Sequence, residues 1–380
     1  MKLLFDLKAA QGNISGKRHG GGKYTEIIFK RLVERNLPVS CCYDSTMWLN
    51  PEIEEIVKEK GINLYDIKDR SIDSLMEDHH FDRVYSALPI NVYDVQKGDV
   101  YGTIHGLREF ETPVDNFFLR YRNQYWKDVI RYFLQKYIPK IGYWWDWKRD
   151  RKYLNKKNFH FCTVSNHSAC SFRSYFPEVK NREIPVFYSP STSSKKEIVK
   201  REFCDKYFLL VSANRWEKNN LRAIMALDKL FSLGYLDGYK VKVTGVQSSA
   251  HYRYKLINKD RFVFLGYVED EVLEQLYHDA YCFIYPSLNE GFGYPPLEAM
   301  RYGVPVIASP YSSISEICEG AVLYANPLSV EEIMARILFI TSKDVYDDFS
   351  HRATIQYKKI TERQNADLDL LVDFIYDLNI

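Results

Sequence analysis

The stretch CFIYPSLNEGFGYPPLEAMRYGVPVIA, residues 282–308, combines a strand, a glycine-containing loop, a helix and a second strand in that order. Cys282–Tyr285 and Val304–Ala308 are short apolar runs typical of buried strands. Between them the two loop glycines are followed by Pro296, a residue type that suits the first turn of a helix. Strands joined through a helix are the units of parallel sheets. The stretch therefore predicts an α/β fold.

The same alternation of apolar runs and amphipathic segments continues towards both ends of the chain. In the first half it predicts a helix from about Gly22 and strands at Lys2–Leu7, Arg83–Ala87, Val100–Ile104 and Phe159–Val164. In the second half it predicts further strands at Tyr207–Ser212, Lys240–Thr244 and Phe262–Leu265. The helices predicted there are Leu221–Leu233, Asp270–His278, Pro296–Tyr302 and Val330–Ile340.

A polar, Pro/Ser-rich stretch at residues 189–196 has the composition of a linker and divides the 380 residues almost equally. A chain of this length is expected to form about two domains. We therefore expect one domain in residues 1–188 and a second in residues 189–361. Both are predicted to be doubly wound, Rossmann-like domains that face each other across a cleft at the carboxyl ends of their strands.

The composition is that of a folded globular protein, with 46% hydrophobic and 27% charged residues. The net charge of +2 does not indicate a nucleic-acid partner. The seven cysteines are scattered without a C-x-x-C pair, which favours reduced cytosolic thiols over disulfides or a zinc site. No uncharged apolar stretch approaches the roughly 20 residues that span a bilayer. We expect a cytoplasmic protein, soluble or peripheral to the membrane.

Two glutamates accompany the glycine loop: Glu290 lies in the loop, and Glu298 lies within about the first turn of the following helix. Glycines let the backbone approach a phosphate or a sugar ring, and a helix N-terminus adds positive potential. Arg215 and Lys218 follow another strand, where two cations could stabilise a leaving nucleoside diphosphate. The alternatives are a plain turn with Glu298 as a partner of the helix dipole, and cations that are merely solvated.

The run E-G-F-G-Y-P-P-L-E-A-M-x-x-G-x-P-V, in which Glu290 and Glu298 form an E-x7-E motif, resembles the signature of family 4 glycosyltransferases. These are retaining enzymes of the GT-B fold, and the resemblance is sharp over residues 205–330. It implies that Glu298 binds the ribose of the nucleotide and that Glu290 contacts the donor sugar. It also implies that a C-terminal helix at 362–380 belongs to the first domain, and that donor binding involves Gly291, Phe292, Gly293, Ser312 and Ser313.

In the first half, His105 ends the strand Val100–Ile104 and would point into the cleft. A lone histidine can equally be structural. The resemblance implies a catalytic set of His105, Arg215, Lys218 and Glu290, although Gly106 stands where the family carries Asp. Gly21 and Gly22 match a glycine-rich loop whose amides face the donor diphosphate and the acceptor, with a flexible turn as the alternative.

Residues 117–157 are unusually aromatic and basic, with 13 aromatic residues, 12 Lys or Arg and three Asp, a local net charge of +9. Phe118, Tyr121, Tyr125, Val129 and Phe133 follow helical spacing. One interpretation is a helix that covers the first sheet. Another is a basic amphipathic surface that meets an anionic membrane or a lipid-diphosphate acceptor. Stacking on nucleic acid is the weakest of the three.

The resemblance implies a retaining hexosyltransferase of surface polysaccharide biosynthesis, such as lipopolysaccharide assembly. Its co-substrate would be a GDP- or UDP-linked sugar of the mannose or glucose type, and its acceptor a glycan or a lipid-linked glycan. We expect no cofactor and no metal, because the D-x-D at Asp367–Asp369 falls in a terminal helix. The alternative is a non-catalytic nucleotide-sugar or glycan-binding subunit of an assembly complex. Replacing Glu290 or Lys218 by Ala is expected to abolish transfer and to leave the fold intact.

Overall fold

The computed structural model describes residues 2–12, 20–121, 125–191 and 206–378, and the chain divides into two compact units. The first unit comprises Met1–Gly106, Asp146–Ser194 and Thr361–Ile380. The second unit comprises Leu107–Trp145 and Lys195–Ile360. Each unit contains one sheet of six strands.

The sheet of the first unit consists of β1 (Leu3–Asp6), β2 (Val39–Tyr43), β3 (Leu64–Asp66), β4 (Arg83–Ser86), β5 (Asp99–Ile104) and β6 (Phe159–Thr163). The strands are parallel and lie in the order β3-β2-β1-β4-β5-β6. Every residue of β1 and β4 is buried, as expected for the centre of a parallel sheet. The strand order reverses between β1 and β4, which makes a topological switch point.

The sheet of the second unit consists of β7 (Lys206–Leu210), β8 (Tyr239–Thr244), β9 (Phe262–Gly266), β10 (Cys282–Tyr285), β11 (Val306–Ala308) and β12 (Leu323–Tyr324). These strands are also parallel, in the order β12-β11-β10-β7-β8-β9. The arrangement repeats that of the first sheet, with the switch point between β7 and β10. Parallel strands of this kind bind ligands in the crevice beyond their carboxyl ends.

The α-helices of the described ranges connect and extend these strands. They are α1 (Gly20–Glu34), α2 (Pro51–Glu59), α3 (Ile72–Asp78), α4 (Arg108–Glu111), α5 (Tyr125–Tyr137), α6 (Pro139–Gly142), α7 (Trp144–Leu154), α8 (Asn166–Tyr175), α9 (Asn220–Ser232), α10 (Asp270–Asp279), α11 (Tyr294–Arg301), α12 (Ser313–Cys318), α13 (Val330–Ile340) and α14 (Lys343–Tyr376). None of the helices within the described ranges is long and apolar enough to cross a membrane.

The core of the second unit shows why the apolar runs form these elements. Phe208, Val241 and Ile284 come from three neighbouring strands and are fully buried. Ile224 of α9 and Ile337 of α13 belong to the same buried cluster. Burial of a side chain of this size stabilises the folded state by about 1.5–3 kcal/mol. The helical and strand periodicities of the sequence thus converge on one hydrophobic core.

The predicted α/β class with two doubly wound sheets is confirmed. The sequence patterns missed β2, β3 and β12, because β2 is only partly buried, β3 is half-buried along its length and β12 has two residues. Helix α11 begins at Tyr294 instead of Pro296, so Glu298 lies in its second turn. The predicted linker at 189–196 lies outside the described residues from 192 onwards.

Residues 107–145 lie elsewhere than the sequence suggested. They were expected within a first domain of residues 1–188, where one interpretation made the aromatic segment a cover for the first sheet. Leu107–Trp145 instead groups with the second unit. The last part of α14, from Thr361 onwards, groups with the first unit. Sequence order alone could not reveal the position of residues 107–145, because it depends on contacts with residues about 100 positions away.

Gly303, which follows α11, provides a test of the backbone geometry that ends this helix. Its φ of +62° is left-handed, and a Cβ there would lie 3.0 Å from Thr354 Oγ1. Gly61 has a φ of +61° with no atom within 4 Å of its Cβ position. We expect Gly61→Ala to cost about 1–2 kcal/mol from backbone strain, and Gly303→Ala to cost more because of the added contact. Urea unfolding of both variants checks this order, and equal losses would contradict it.

Candidate active site

The candidate residues of the second unit lie beyond the ends of β7 and β10, the two strands at its switch point. Arg215 and Lys218 follow β7. Glu290 follows β10. The two loops are joined directly, because Leu288 N donates to the carbonyl oxygen of Glu217 at 2.7 Å. The fold therefore brings together cations and a carboxylate that are about 70 residues apart in the sequence.

The loop after β7 is held in a fixed and strained conformation. A single 3-10 turn, Trp216–Lys218, leads into Asn219, whose φ is +57°. The Asn219 side chain donates to the carbonyl oxygens of Pro286 at 3.1 Å and Pro327 at 2.6 Å. Left-handed backbone is uncommon for residues other than glycine and persists where the surroundings enforce it. These bonds fix the residue that follows Lys218.

Lys218 and Glu290 form a buried ion pair, with Nζ 2.5 Å from Oε1 and side-chain exposures of 5% and 8%. The same Oε1 accepts hydrogen bonds from Tyr285 Oη at 2.7 Å and Ser287 Oγ at 2.6 Å. Lys218 Nζ also donates to Tyr285 Oη at 2.6 Å. Burying two charges is tolerated only when they are paired and hydrogen-bonded, as they are here.

The charges in this cluster shift the pKa values of its members. Burial raises the pKa of Glu290, but the charges of Lys218 and Arg108 outweigh it and hold that pKa at about 2. Burial lowers the pKa of Lys218, an effect that the Glu290 carboxylate opposes. Burial also raises the pKa of Glu217, but the charge of Arg215, a backbone hydrogen bond and the charge of Arg108 together lower it by more, so the net shift is downward. Both carboxylates are therefore ionised at neutral pH.

Arg215 is engaged by a carboxylate that the sequence did not single out. Its Nε and Nη2 donate to Glu217 Oε1 at 2.8 and 2.5 Å. The Arg215 side chain is 40% exposed, in contrast to buried Lys218. The same Glu217 oxygen lies 3.8 Å from Arg108 Nη1. The site thus contains two carboxylates, Glu217 and Glu290, each shared among basic residues.

The glycine loop is supported from behind by the two serines that were predicted to bind the donor. The backbone N–H of Glu290 donates to Ser312 Oγ at 2.8 Å. Ser313 Oγ contacts the carbonyl oxygens of Glu290 at 2.9 Å and Phe292 at 2.8 Å. Gly293 has a φ of +112° and caps α11. In this structure the serines shape the loop, whose Gly291 is half-buried and whose Phe292 is buried.

Glu298 lies apart from the ion pair, on α11. It is half-buried and hydrogen-bonds the hydroxyl of Tyr277, a buried residue of α10. Burial, followed by the Glu298 charge, raises the pKa of Tyr277. The tyrosine therefore remains a neutral donor and orients the carboxylate. The two glutamates of the E-x7-E motif have different partners, which agrees with different roles for them.

The remaining candidates belong to the first unit. His105 follows β5, its Nε2 lies 3.1 Å from the carbonyl oxygen of Ala87, and its ring meets the Tyr24 ring edge-on at 4.7 Å. A contact with a carbonyl requires the proton on Nε2. Gly21 and Gly22 were predicted to lie in a loop, but α1 begins at Gly20, so both are in its first turn.

Sequence reasoning missed Tyr285, Ser287, Glu217 and Asn219. Tyr285 and Ser287 stand within the stretch quoted at the outset, as a strand-end tyrosine and a serine five and three residues before Glu290. Their shared target, Glu290 Oε1, appears only when the strand ends and the loop turns back. Glu217 stands between Arg215 and Lys218 in the sequence, and a carboxylate between two cations is a signal that could have identified it.

Comparison with known proteins supports the sequence resemblance. Residues 193–359 match the family model described as glycosyl transferases group 1. The O-antigen chain mannosyltransferase RfbU of Salmonella typhimurium is 32% identical over 177 residues, which are 45% of this chain and 48% of that protein. The O-antigen chain mannosyltransferase B of Escherichia coli is 52% identical over 75 residues, 20% of each chain. The chain thus matches about half or less of the length of these relatives.

Solved structures share the fold over almost the whole chain. Sucrose-phosphate synthase from Thermosynechococcus elongatus gives a TM-score of 0.66 at 12% identity, covering 100% of this chain and 99% of the other. WaaG, a glycosyltransferase involved in lipopolysaccharide biosynthesis, gives 0.65 at 16% identity, covering 98% and 99%. At such identities the likeness concerns the fold alone. The resemblance and the GT-B fold class predicted from the sequence are confirmed.

The buried pair revises the expectation that replacing Glu290 or Lys218 leaves the fold intact. Lys218→Met strands a buried carboxylate, and Glu290→Gln strands a buried ammonium. We expect each to cost about 3–5 kcal/mol of unfolding free energy. The double variant removes both charges and should lose less than the sum of the two. Urea unfolding of the four proteins measures this coupling, and additive losses would contradict a buried ion pair.

The pair also predicts a change in pH dependence. In the native protein the pKa of Glu290 is lowered, so its stabilisation is present above its ordinary pKa and is lost as pH falls towards about 2. Without Lys218 and with burial dominant, the pKa should instead be raised. The stability deficit of Lys218→Met should therefore shrink as pH falls from 7 to 5. Unfolding series at both pH values check this, with Lys229→Met, an exposed lysine, as control.

Proposed function

We propose, from the match of residues 193–359 to glycosyl transferases group 1, that this chain is a retaining hexosyltransferase. It would move a mannose- or glucose-type sugar from a nucleotide diphosphate sugar to a glycan or lipid-linked acceptor in surface polysaccharide biosynthesis. The observation that carries the proposal is the Lys218–Glu290 pair at the switch point of the second sheet. In this proposal Lys218 serves the diphosphate, and the carboxylate of Glu290 beside it serves the sugar.

Glu290 has one oxygen available for the donor sugar. The side-chain contacts to Lys218, Tyr285 and Ser287 all fall on Oε1. Within the described parts of the chain, Oε2 has no hydrogen-bond partner. A carboxylate held by three donors on one oxygen is fixed in orientation before any ligand arrives. The ordered Oε2 is thereby ready to accept from a sugar hydroxyl, which is the role we assign to it.

Retaining transfer breaks the bond from the sugar C1 to the diphosphate oxygen and forms a bond from C1 to the acceptor oxygen on the same face. The acceptor's proton passes to the departing phosphate oxygen. Negative charge grows on the leaving diphosphate, and Lys218 and Arg215 are the cations we assign to stabilise it. Both are already fixed by carboxylates, so little reorganisation accompanies the step.

The other candidates take supporting roles in this proposal. Glu298, oriented by Tyr277, would bind the ribose. The amides of Gly291, Phe292 and Gly293 would line the sugar and diphosphate, with Ser312 and Ser313 holding their loop. His105 would act near the acceptor, and Gly21 and Gly22 would offer amides at the start of α1. None of these assignments requires a metal or another cofactor.

The names of the relatives support the choice of sugar and acceptor. RfbU and mannosyltransferase B are named for mannosyl transfer to the O-antigen chain. A structure with the same fold, from Anabaena, is titled as a complex with UDP-glucose. We therefore propose GDP- and UDP-hexoses as the donors to test first. The alternative, a non-catalytic binding subunit, predicts donor binding without turnover.

Glu290→Gln tests the enzyme directly. With purified protein, a GDP- or UDP-hexose and an oligosaccharide acceptor, we expect kcat/KM to fall at least about 100-fold, as for loss of a fixed polar group at the reacting centre. Glu331→Gln, an exposed glutamate of the same unit, is the matched control and should keep full activity. NMR of the product should show the anomeric configuration of the donor. An inverted product, or full activity of Glu290→Gln, would refute the proposal.

We also propose that the protein works at the inner face of the plasma membrane, through helix α5. Trp126, Ile130, Phe133 and Tyr137 lie on one face of α5 and are each more than 50% exposed. Exposed Lys127, Arg131 and Lys136 flank that face. An apolar stripe edged by cations suits the interface of an anionic bilayer, in which a lipid-linked acceptor would be held.

Vesicle binding tests this surface. The double variant Trp126→Glu/Phe133→Glu should bind vesicles containing anionic phospholipid at least about tenfold more weakly, because it puts charges where exposed apolar side chains would enter the bilayer. Leu233→Glu/Tyr235→Glu, which changes exposed apolar residues elsewhere in the second unit, is the control. Transfer to a water-soluble acceptor should stay unchanged in both. Undiminished vesicle binding by the α5 variant would contradict the proposed surface.

A further inference from the structure

The segment of residues 107–121, which we call the strap, belongs to the second unit although its sequence follows β5 of the first. Tyr121 is buried, and its hydroxyl accepts from the backbone N–H of Leu221 at 2.8 Å. Phe118 meets Trp216 edge-on at 5.1 Å. The strap therefore packs against the segment that carries Lys218.

Two polar contacts extend this packing on both sides of the site. Asp115 pairs with Arg222, a buried residue of α9. Glu111 accepts from the side-chain amide of Asn289 at 2.8 Å. Asn289 is buried and immediately precedes Glu290. The strap thus holds both loops that form the Lys218–Glu290 pair, and its position is fixed relative to them.

Arg108 stands near the start of the strap, at the edge of the charge cluster. Its Nη1 is 3.8 Å from Glu217 Oε1, a longer separation than that of either pair already described. Its Nε is buried and has no hydrogen-bond partner among the residues the structure describes. Its side chain is nevertheless 43% exposed, so a ligand can reach it. Its positive charge is felt at the centre of the site, since it contributes to lowering the pKa of Glu290.

The net charge of the cluster depends on Arg108. Lys218 is neutralised by Glu290, and Arg215 by Glu217, so these four residues carry no net charge. A nucleoside diphosphate is a multiply charged anion and is held best where positive charge is in excess. Arg108 supplies the excess, because among the described residues its guanidinium makes no hydrogen bond and its nearest carboxylate, Glu217, already neutralises Arg215.

We propose that Arg108 binds the diphosphate of the nucleotide-sugar donor, as a third cation beside Arg215 and Lys218 that the strap delivers to the site. The inference rests on the proposed function and deepens it, since it names a residue outside the E-x7-E motif and the Arg215–Lys218 loop. The planar guanidinium would engage phosphate oxygens with paired donors, in the geometry for which arginine is suited. Glu217 would keep it oriented before the donor arrives.

Calorimetric titration with nucleotides tests this assignment. The full-length protein is titrated with GDP and UDP, and with the nucleoside of whichever binds. Arg108→Gln should weaken nucleoside diphosphate binding about 10- to 100-fold, as expected for loss of a charge-assisted hydrogen bond. Binding of the nucleoside should be unchanged, which also shows that the variant is folded. Arg108→Lys, which keeps the charge but loses the fork, should fall between Arg108→Gln and the native protein.

Arg120 provides the matched control. It lies on the same strap, is exposed, and donates from Nη1 to the carbonyl oxygen of Arg253 at 3.1 Å. Arg120→Gln removes the same charge from the strap and should leave both affinities unchanged. In transfer assays, Arg108→Gln should raise KM for the donor and leave KM for the acceptor unaltered.

Four outcomes would overturn the proposal. If Arg108→Gln and the native protein bound the nucleoside diphosphate equally well, Arg108 would not contact the diphosphate, and the proposed function would be unaffected. Equal losses for nucleoside and nucleoside diphosphate would assign Arg108 a purely structural part. A rise in KM for a lipid-diphosphate acceptor alone would move the contact to the other substrate. If the native protein bound no nucleoside diphosphate, both this inference and the proposed function would fail.

Discussion

The buried contact between Lys218 and Glu290 is the interaction on which the organisation of the site depends. An ammonium and a carboxylate are each costly to remove from water, and they are tolerated together because Tyr285 and Ser287 complete their hydrogen bonds. The pair also joins the loops that follow β7 and β10, the strands at the switch point. The Lys218–Glu290 pair therefore also helps to hold the second unit together. A substitution of either residue for a binding experiment will change the stability of that unit as well.

Contacts between the loops of the site also maintain a strained backbone around the ion pair. Ser212, Asn219 and Ser312 all have positive φ, although none is glycine, and all stand in loops beyond the carboxyl ends of the second sheet. Each such residue costs of order 1–3 kcal/mol and persists only where neighbouring contacts over-determine it. Here Asn219 is held by carbonyl oxygens of two other loops, and Ser312 accepts from the amide of Glu290. The stability of the sheet thus supports loops that would not adopt these conformations by themselves.

The sequence predicts the parts of this arrangement that depend on local pattern. Alternating apolar runs locate the central strands, and the run from Glu290 to Glu298 identifies the loop and α11. What it does not predict arises from long-range contacts. The pairing of Lys218 with Glu290 requires the order of β7 and β10 in the sheet, and the position of the strap requires contacts such as that between Tyr121 and Leu221. The sequence resemblance assigns Ser312 and Ser313 to the ligand because it matches positions along the chain. Their hydrogen bonds to the glycine loop depend on the three-dimensional structure, so the sequence does not predict them.

The way in which charges are paired determines how an anion can enter the site. Lys218 and Arg215 each already hold a carboxylate, so in the proposed function an arriving diphosphate shares these two cations with Glu290 and Glu217, and Arg108 adds the cation that has no close carboxylate of its own. For Lys218 such sharing would cost less than desolvating a free ammonium, because this buried cation has already lost its water on folding. It also makes selectivity depend on the carboxylates. A ligand that offers phosphate without a sugar hydroxyl would leave Glu290 with only Tyr285 and Ser287 as full partners, whereas a complete donor would satisfy both members of the pair.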